Sequence, residues 1–312
     1  MNRSIKIFSP ASVANLVCGF DVLGMSLADP ADEMIMSLSE TPGISIVHED
    51  GYGLPEDTER NVAGVALLEM MKHVDSKVGF NLRVNKKIKP GSGLGSSAAS
   101  AAGAVAGANA LLGNRFSKYD LVRFAMSGEK LASGVKHADN IAPCLLGGIT
   151  LIRSIMPLDV VCLSFPDLHV TVVHPQIEVK TSDARQILKK QVLLKDAIKQ
   201  WGNIAGLVAG FMQKDYALIG RSLEDVIIEP VRSILIPGFD EVKEKCKHAG
   251  ALGGGISGSG PSVFMLSVEE RTANKIAEVM KEVYGCLGIE FKIYVTKIDD
   301  KGVKINEILQ HQ

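Results

Sequence analysis

Aromatic side chains and unbalanced charge are scarce in this chain. Of its 312 residues only 5% are aromatic, and 34 lysines and arginines nearly balance 35 aspartates and glutamates. So few aromatics argue against a stacking platform for single-stranded nucleic acid, and the lack of a basic excess argues against nucleic-acid binding through phosphates. With 46% hydrophobic and 22% charged residues, the composition is that of an ordinary soluble globular protein.

Paired cysteines and a signal sequence are also lacking. The chain has five scattered cysteines and no Cys-x-x-Cys, so neither a disulfide scaffold nor a structural zinc site is expected. The N-terminus has no apolar core of the kind found in signal peptides. Residues 90–114 carry no charge, but they are rich in Ser, Gly and Ala, which favours a buried helix over a membrane span. We expect a cytoplasmic protein.

A glycine-rich stretch in the first third of the chain is typical of a phosphate-binding loop. Glycine allows successive N–H groups to converge on one anion, and a following helix adds its positive dipole end. Serine hydroxyls are oxygen ligands of the kind that Mg²⁺ accepts. The common P-loop is excluded because no lysine precedes the serines, and the Rossmann spacing is absent. A flexible loop before a tightly packed helix is the alternative. The stretch reads Lys89-Pro90-Gly91-Ser92-Gly93-Leu94-Gly95-Ser96-Ser97-Ala98-Ala99.

Hydrophobic periodicity predicts strands and helices in mixed order, which favours an α+β chain of two lobes with a boundary near Pro157. Met34–Ser39 and Ile44–Val47 are expected to form a strand pair joined at Pro42-Gly43. Asn61 would cap a helix that runs to about Val74. The other predicted strands are 4–8, 80–85, 148–153, 160–165, 170–173, 262–267 and 291–296, and the other predicted helices are 96–112, 118–132, 184–201, 204–212, 240–248 and 273–284.

Two further stretches combine turns with polar or glycine-rich patterns. Ser9–Gly24 places an amide, a glycine turn and a carboxylate after the first predicted strand, and alone it would be a turn with a solvated aspartate. Gly250–Ser262 contains a G-x-G-x-x-G spacing, but a proline and an apolar strand follow it instead of a helix. A dinucleotide site or a protein-kinase glycine loop is therefore not expected there. A tight turn before the strand is the alternative.

Taken in order, Ser9–Gly24, Lys89–Ala99 and Gly250–Ser262 resemble the three motifs of the GHMP kinases. The first is similar to the homoserine kinase form, Pro-Ala-Ser-x-Ala-Asn-Leu-Gly-Pro-Gly-Phe-Asp-x-Leu-Gly, and departs from it at Val17-Cys18, where the family has Gly-Pro. This departure leaves the local turn geometry open. The Gly-Glu-His element of galactokinases and mevalonate kinases is missing.

The resemblance implies a two-lobed α+β GHMP kinase fold. An N-terminal lobe over residues 1–156 would resemble the second domain of ribosomal protein S5, and a C-terminal lobe over residues 157–312 would be ferredoxin-like. The implied reaction moves the γ-phosphoryl group of ATP to the side-chain hydroxyl of L-homoserine, which gives O-phospho-L-homoserine for threonine synthesis. A homodimer is a further expectation. Another small-molecule kinase of the family and a non-catalytic nucleotide-binding member are the alternatives.

The resemblance also implies how nucleotide and metal are held. The loop from Lys89 to Ala99 would bind the phosphates of ATP, and Gly258 of the third motif would lie against them. Ser97 and Glu129 would bind Mg²⁺, with Ser96 as the alternative hydroxyl. Asn61 resembles a position that contacts adenine, although helix capping alone explains this residue.

Substrate contacts follow from the same resemblance. A lone arginine is usually a surface residue, and a cluster of Glu129 with residues 134–140 could be a solvated helix end. Homoserine has an ammonium and a carboxylate, so it needs an acid and a planar cation. The implied ammonium ligand is Asp21, with Asp139 or His137 in support, and the implied carboxylate ligands are Arg185 and Arg232.

Asn15 and Asn140 are expected near the reacting hydroxyl. Some relatives place an aspartate where Asn140 falls, and there it acts as the general base. An amide cannot accept a proton usefully at neutral pH. We therefore expect catalysis without a protein base, with the proton leaving through the γ-phosphate.

Overall fold

The computed structural model describes residues 4–74, 78–179 and 181–308. It consists of two β-sheets with helices packed on them. The strands in these residues are β1 Ser4–Ala14, β2 Leu23–Ser39, β3 Gly43–His48, β4 Gly79–Asn85, β5 Ile149–Ile155, β6 Leu158–Leu163, β7 His169–Pro175, β8 Gly253–Ile256, β9 Val263–Ser267, β10 Phe291–Lys297 and β11 Lys304–Ile308. The helices are α1 Val62–Met71, α2 Ser96–Leu111, α3 Lys118–Ser133, α4 Ile141–Leu146, α5 Thr181–Gln186, α6 Leu194–Gln213, α7 Tyr216–Ser222, α8 Glu229–Arg232, α9 Phe239–His248 and α10 Glu270–Leu287. The predicted α+β class is confirmed.

The first sheet has the strand order β11-β1-β2-β4-β3, and β5 and β6 extend from β2. The predicted first strand stopped at Phe8, but β1 continues to Ala14. Its second half is buried on both faces, so the polar–apolar alternation that identifies a half-buried strand disappears there. Strand β11 pairs antiparallel with β1, which brings the end of the described chain back to its start.

The predicted pairing of the second and third strands is wrong. Strands β2 and β3 follow each other in sequence, but β4 lies between them. Strand β4 is antiparallel to β2 and parallel to β3, and the connection from β3 to β4 passes through α1. A parallel pair needs such a crossover and cannot be joined by a tight turn. Pro42-Gly43 therefore marks a bend to the sheet edge and not a hairpin.

Small side chains allow α2 to lie directly on the first sheet. A Cβ at Gly107 would lie 2.3 Å from Ile7 Cδ1, and one at Gly103 would lie 2.9 Å from Met34 Sδ. Glycine at these two positions therefore sets how closely the helix approaches the strands. The prediction that residues 90–114 contain a buried helix, and not a membrane span, is confirmed. None of the described helices has the length and apolar character needed to cross a membrane.

The second sheet has the order β10-β7-β9-β8, with a separate apolar core between it and the helices α9 and α10. Strands β7, β8, β9 and β10 with α9 and α10 occur in the order β-α-β-β-α-β, which is the ferredoxin-like arrangement. Helices α5 to α8 are inserted between β7 and α9.

Two helix boundaries in this inserted region differ from the prediction. The predicted helix 184–201 is interrupted, because α5 ends at Gln186 and α6 begins at Leu194. The predicted break after residue 201 is absent, and α6 runs through Gly202. A Cβ at Gly202 would meet nothing within 4 Å, so this glycine is simply exposed. The cost of a helical glycine, about 1 kcal/mol, is offset by burial of Leu207 and Phe211 further along the helix.

The proposed division of the chain at residues 156 and 157 falls in a tight turn. Strands β5 and β6 flank this turn and pair with each other, and both belong to the first sheet. Strand β11 joins the same sheet from the C-terminal end. The exact limits of the two lobes stay a prediction.

Candidate active site

The glycine-rich loop connects β4 to α2 and has the conformation expected of an anion-binding loop. Gly91, Gly93 and Gly95 have φ angles of 74°, 79° and 69°, a region that favours glycine. Gly95 is the N-cap of α2 and supplies no side-chain cap, so the first N–H groups of the helix are open to a ligand. The predicted loop and helix start are thus both present.

The first cavity, of about 320 Å³, lies against this loop. The Ser97 hydroxyl donates to Glu129 Oε2 at 2.8 Å, while the Ser96 hydroxyl donates to the Ile88 carbonyl at 2.8 Å. Ser96 is therefore engaged by the loop backbone, and Ser97 faces the acid. The cavity is lined by Leu54, Val62, Lys86, Pro90, Gly91, Gly93, Gly95, Ser96, Ser97, Ser100, Glu129, Ala132, Asn140, Gly258 and Ser259.

Glu129 is a buried acid without a cation in the described protein to neutralise it. Burial raises the pKa of its carboxyl to about 7, while hydrogen bonds from Ser97 and Ser133 act in the opposite direction. The described residues hold no cluster of three or more acidic, histidine or cysteine side chains that could bind a metal alone. One carboxylate and one hydroxyl fit Mg²⁺ when phosphate oxygens and water complete the shell.

The second cavity is small, about 50 Å³, and it is lined mainly by charged and polar side chains. The Nη2 atom of Arg185 donates to both carboxylate oxygens of Asp21, at 2.8 and 3.0 Å. Each of these side chains is about a third exposed. The two cavities share Glu129, Asn140, Gly258 and Ser259, so a group bound in one would meet a group bound in the other.

The turn that carries Asp21 is built from left-handed residues. Asn15, Leu16 and Val17 have φ angles of 75°, 42° and 67°, and Asp21 has 61°. Val17 stands where the family motif has glycine, and it adopts the left-handed conformation although a β-branched residue is strained there. Asn15 stabilises the turn, because its Oδ1 accepts from the Asp21 N–H at 3.1 Å. The departure at Val17 therefore does not remove the turn.

Arg232 lies beside this turn. Its Nη1 donates to the Gly258 carbonyl at 3.0 Å, and Asn15 Nδ2 donates to the same oxygen at 2.8 Å. Its guanidinium lies 4.9 Å from the centre of the Phe20 ring, over which Arg185 also lies at 5.4 Å. Burial, with Arg185 nearby, lowers the pKa of Arg232 to about 10, so the residue is cationic at neutral pH.

Asp139 and His137 complete the second cavity. Burial, with Asp21 and then Glu129 adding repulsion, raises the pKa of Asp139 to about 7. His137 Nδ1 lies 3.7 Å from Asp21 Oδ1, and burial lowers the pKa of this histidine. Its Nε2 is buried and has no hydrogen-bond partner among the described residues.

Two family models match this chain: the GHMP kinases N terminal domain over residues 61–148 and the GHMP kinases C terminal over residues 207–286. The homoserine kinase of Chloroherpeton thalassium is 45% identical and is matched over 97% of this chain and 99% of its own length. That of Pyrococcus furiosus is 41% identical over 94% of this chain and 98% of its own. The chain belongs to the GHMP kinase family.

Solved structures agree with this membership. The homoserine kinase from Cytophaga hutchinsonii has a TM-score of 0.94 and 49% identity, and the match covers 97% of each chain. The mevalonate kinase of L. major has a TM-score of 0.71 at 15% identity, over 94% of this chain and 95% of its own. The second likeness shows the fold alone. The two-lobed GHMP kinase fold expected from the motifs is confirmed, and this chain is a kinase.

Several predicted nucleotide ligands of this GHMP kinase do not line the first cavity. Asn61 is the N-cap of α1, accepting from Ala63 and Gly64 N–H and donating to the Pro55 carbonyl at 2.6 Å. Its amide is thus already occupied, which supports the capping alternative. Lys89 donates to Gln176 across the lobes at 2.9 Å. The other predicted loop residues outside the lining are Ser92, Leu94, Ala98 and Ala99.

The third motif is partly a strand, which its glycine-rich sequence did not predict. Its residues 253–256 form β8, which pairs with β9, and a Cβ at Gly254 would lie 1.9 Å from the Phe264 carbonyl oxygen, so glycine is required there. A Cβ at Gly255 would likewise lie 2.1 Å from Glu229 Oε2. Part of the G-x-G-x-x-G spacing therefore serves strand packing, while Gly258 and Ser259 border both cavities of the kinase.

A buried lysine under the phosphate loop was also missed. Lys86 Nζ forms an ion pair with Asp32 and donates to the Ser96 carbonyl at 3.0 Å and to Ser100 Oγ at 2.7 Å. Asp32 also accepts from the Lys87 and Ile88 N–H groups at 2.8 and 2.9 Å. The sequence shows only three lysines near a strand end, and nothing in it links them to an aspartate on β2.

Proposed function

We propose that this GHMP kinase phosphorylates the side-chain hydroxyl of L-homoserine with ATP, giving O-phospho-L-homoserine. The observation that carries the proposal is the second cavity, which is lined by Asp21 and two arginines and adjoins the first cavity. A zwitterionic amino acid needs one acid and one planar cation, whereas mevalonate and sugars lack the ammonium. The two matched relatives above are both named homoserine kinase.

ATP phosphates would lie in the first cavity, against the loop N–H groups and the N-terminus of α2. This arrangement binds anions through fixed dipoles and needs little rearrangement. Ser97 and Glu129 would hold Mg²⁺ there, and the metal would neutralise charge on the phosphates. The Ser97–Glu129 hydrogen bond at 2.8 Å supports Ser97 over Ser96 as the hydroxyl ligand.

Homoserine would replace the ion pair between Asp21 and Arg185 that now lies in the second cavity. Its ammonium would take the place of Arg185 at Asp21, with Asp139 and His137 near. Its carboxylate would bind the released Arg185 together with Arg232. A cavity of about 50 Å³ has room for only a few water molecules. Binding therefore requires Arg185 to move.

Transfer itself would depend on position and charge, without a protein base. Asn140 borders both cavities, so it lies where the hydroxyl and the γ-phosphoryl group would meet. Asn15 holds the Gly258 carbonyl and the Asp21 N–H. The hydroxyl proton would pass to the γ-phosphoryl oxygens, since loose phosphoryl-transfer transition states need little base assistance.

Three further expectations belong to the same proposal. The product would serve threonine synthesis, the protein would act in the cytoplasm, and two copies would form a dimer.

ATP consumption with Mg²⁺ against L-homoserine, mevalonate, galactose and L-serine in parallel tests the proposal. Turnover with L-homoserine alone is expected. Turnover with another alcohol would keep the kinase chemistry and overturn the amino-acid clamp. ATP binding without turnover of any substrate would favour a non-catalytic family member.

A further inference from the structure

Ser12 lies where three functional segments meet. It belongs to the second half of β1, is fully buried, and its N–H donates to the Leu94 carbonyl in the phosphate loop at 3.1 Å. Its hydroxyl donates to Asn140 Oδ1 at 2.8 Å. One residue therefore connects the first motif, the phosphate loop and the N-cap of α4.

Gly95 makes room for this contact. A Cβ at Gly95 would lie 2.1 Å from Ser12 Oγ and 2.9 Å from Asn140 Oδ1. Its φ of 69° independently favours glycine. The last glycine of the phosphate loop thus has a second purpose, which is to admit the hydroxyl–amide pair behind the loop.

The contact determines which end of the Asn140 amide faces the cavities. Asn140 Oδ1 accepts from Ser12, and the contacts of the described residues give no other acceptor for the Ser12 hydroxyl. A reversed amide would leave that buried hydroxyl proton without an acceptor, which is costly. A reversed amide would also turn a carbonyl oxygen toward anionic phosphates. Both effects direct the NH₂ group of Asn140 to the junction of the cavities.

We propose that Ser12 is a positioning residue for phosphoryl transfer. It holds Asn140 so that a hydrogen-bond donor, and not an acceptor, faces the transferring phosphoryl group. Ser12 itself lines neither of the two cavities. The proposal rests on the kinase reaction proposed above, but not on which alcohol is phosphorylated.

Single and double substitutions test this role. Ser12→Ala and the similarly sized Ser12→Cys should lower kcat about three- to tenfold, with KM for ATP and for the alcohol changed less than twofold. Ser12→Thr, which keeps the hydroxyl, should retain most of the wild-type kcat. Because Ser12 acts through Asn140, Ser12→Ala should add nothing to Asn140→Ala.

Ser9→Ala is the matched control. Ser9 is a fully buried serine on the same strand, and its hydroxyl donates to the Ala99 carbonyl at 2.7 Å, away from both cavities. Its loss should lower the melting temperature about as much as Ser12→Ala does and leave kcat unchanged.

Three results would overturn the positioning role: unchanged kcat in Ser12→Ala and Ser12→Cys, an equal loss in Ser9→Ala, or multiplying effects in the double variant. A wild-type enzyme that phosphorylates a different alcohol would overturn the homoserine assignment but leave this test intact on that alcohol. A wild type without any kinase activity would overturn both.

Discussion

The two adjoining cavities of this kinase differ in the chemical groups that line them. The first cavity, proposed above to hold the phosphates of ATP and called the phosphate cavity here, lies against three left-handed glycines and the N-terminus of α2. The second cavity, proposed above for the amino acid, is lined mainly by charged and polar side chains from the turn after β1, α3, the loop before α4, α5 and α8, and it contains the ion pair between Asp21 and Arg185. The first cavity has a volume of about 320 Å³, whereas the second has only about 50 Å³ while that pair is formed.

This difference predicts different binding behaviour. Backbone dipoles keep their direction whether or not a ligand is present, so phosphate binding should need little reorganisation. Charged side chains without a ligand pair with each other, so only a ligand with both charges can replace both partners. We therefore expect selectivity for a zwitterion to come from this ion pair as well as from the contacts of the bound ligand.

The largest expected effect comes from removing the acid of the phosphate cavity. Glu129→Gln should lower kcat by about 10³, because the proposed metal loses its carboxylate ligand while the shape is kept. Steady-state rates across a Mg²⁺ titration measure this. The control is Glu69→Gln, which removes a carboxylate paired with Lys72 on the protein surface. A Glu129→Gln enzyme with the wild-type rate and Mg²⁺ dependence would exclude the metal role.

Breaking the ion pair of the second cavity should act on one substrate only. Arg185→Ala should lower kcat/KM for homoserine about 100-fold, because the substrate carboxylate loses a planar partner. KM for ATP should stay within twofold, since Arg185 does not line the phosphate cavity. Initial rates measured with each substrate varied separately give kcat/KM for homoserine and KM for ATP independently. Arg153→Ala, at an exposed pair with Asp159, is the control. Equal losses for both substrates would contradict the division into two cavities.

The pH dependence of stability should report the buried acid Asp139. Its pKa is raised from 3.8 to about 7. Between these two pH values the folded protein therefore keeps a proton on this carboxyl that the unfolded chain has lost. The stability contributed by protonation is therefore complete below about pH 4 and is lost as pH rises to about 7.

Asp139→Asn should remove this loss of folding stability with rising pH. Between pH 5 and pH 8 the free energy of unfolding of the wild type should fall by about 2 to 3 kcal/mol more than that of the variant. Urea unfolding of the ligand-free protein at several pH values measures it. Parallel pH profiles for wild type and Asp139→Asn would show that this carboxyl is ionised in the folded protein.

The smallest expected effect is at the junction of the cavities. Asn140→Ala should lower kcat about tenfold, as expected for an orienting hydrogen bond without proton transfer. Asn140→Asp should not exceed the wild-type rate, because a carboxylate would face the phosphates. A strongly faster Asn140→Asp enzyme with a new acidic limb in its pH–rate profile would reveal a latent base position. Complete loss of transfer in Asn140→Ala with homoserine binding intact would make the amide more than an orienting group.

The parts of the molecule that follow from local chain chemistry could be predicted. The phosphate loop, the start of α2 and the Asn61 cap each depend on residues a few positions apart, and each is present. The position of β4 between β2 and β3 could not be predicted, because strand order depends on a crossover and not on the turn at Pro42-Gly43.

The sequence by itself determined the α+β class, the family through its three ordered motifs, and a glycine loop shaped for phosphate. These depend on backbone freedom and on short-range spacing. Only the tertiary structure decided that Arg185 meets Asp21 across 164 positions, that Lys86 lies under the loop with Asp32, and that Ser12 contacts Asn140. Side chains so far apart in the chain are brought together by burial of two apolar cores, and no local pattern records which of them will meet.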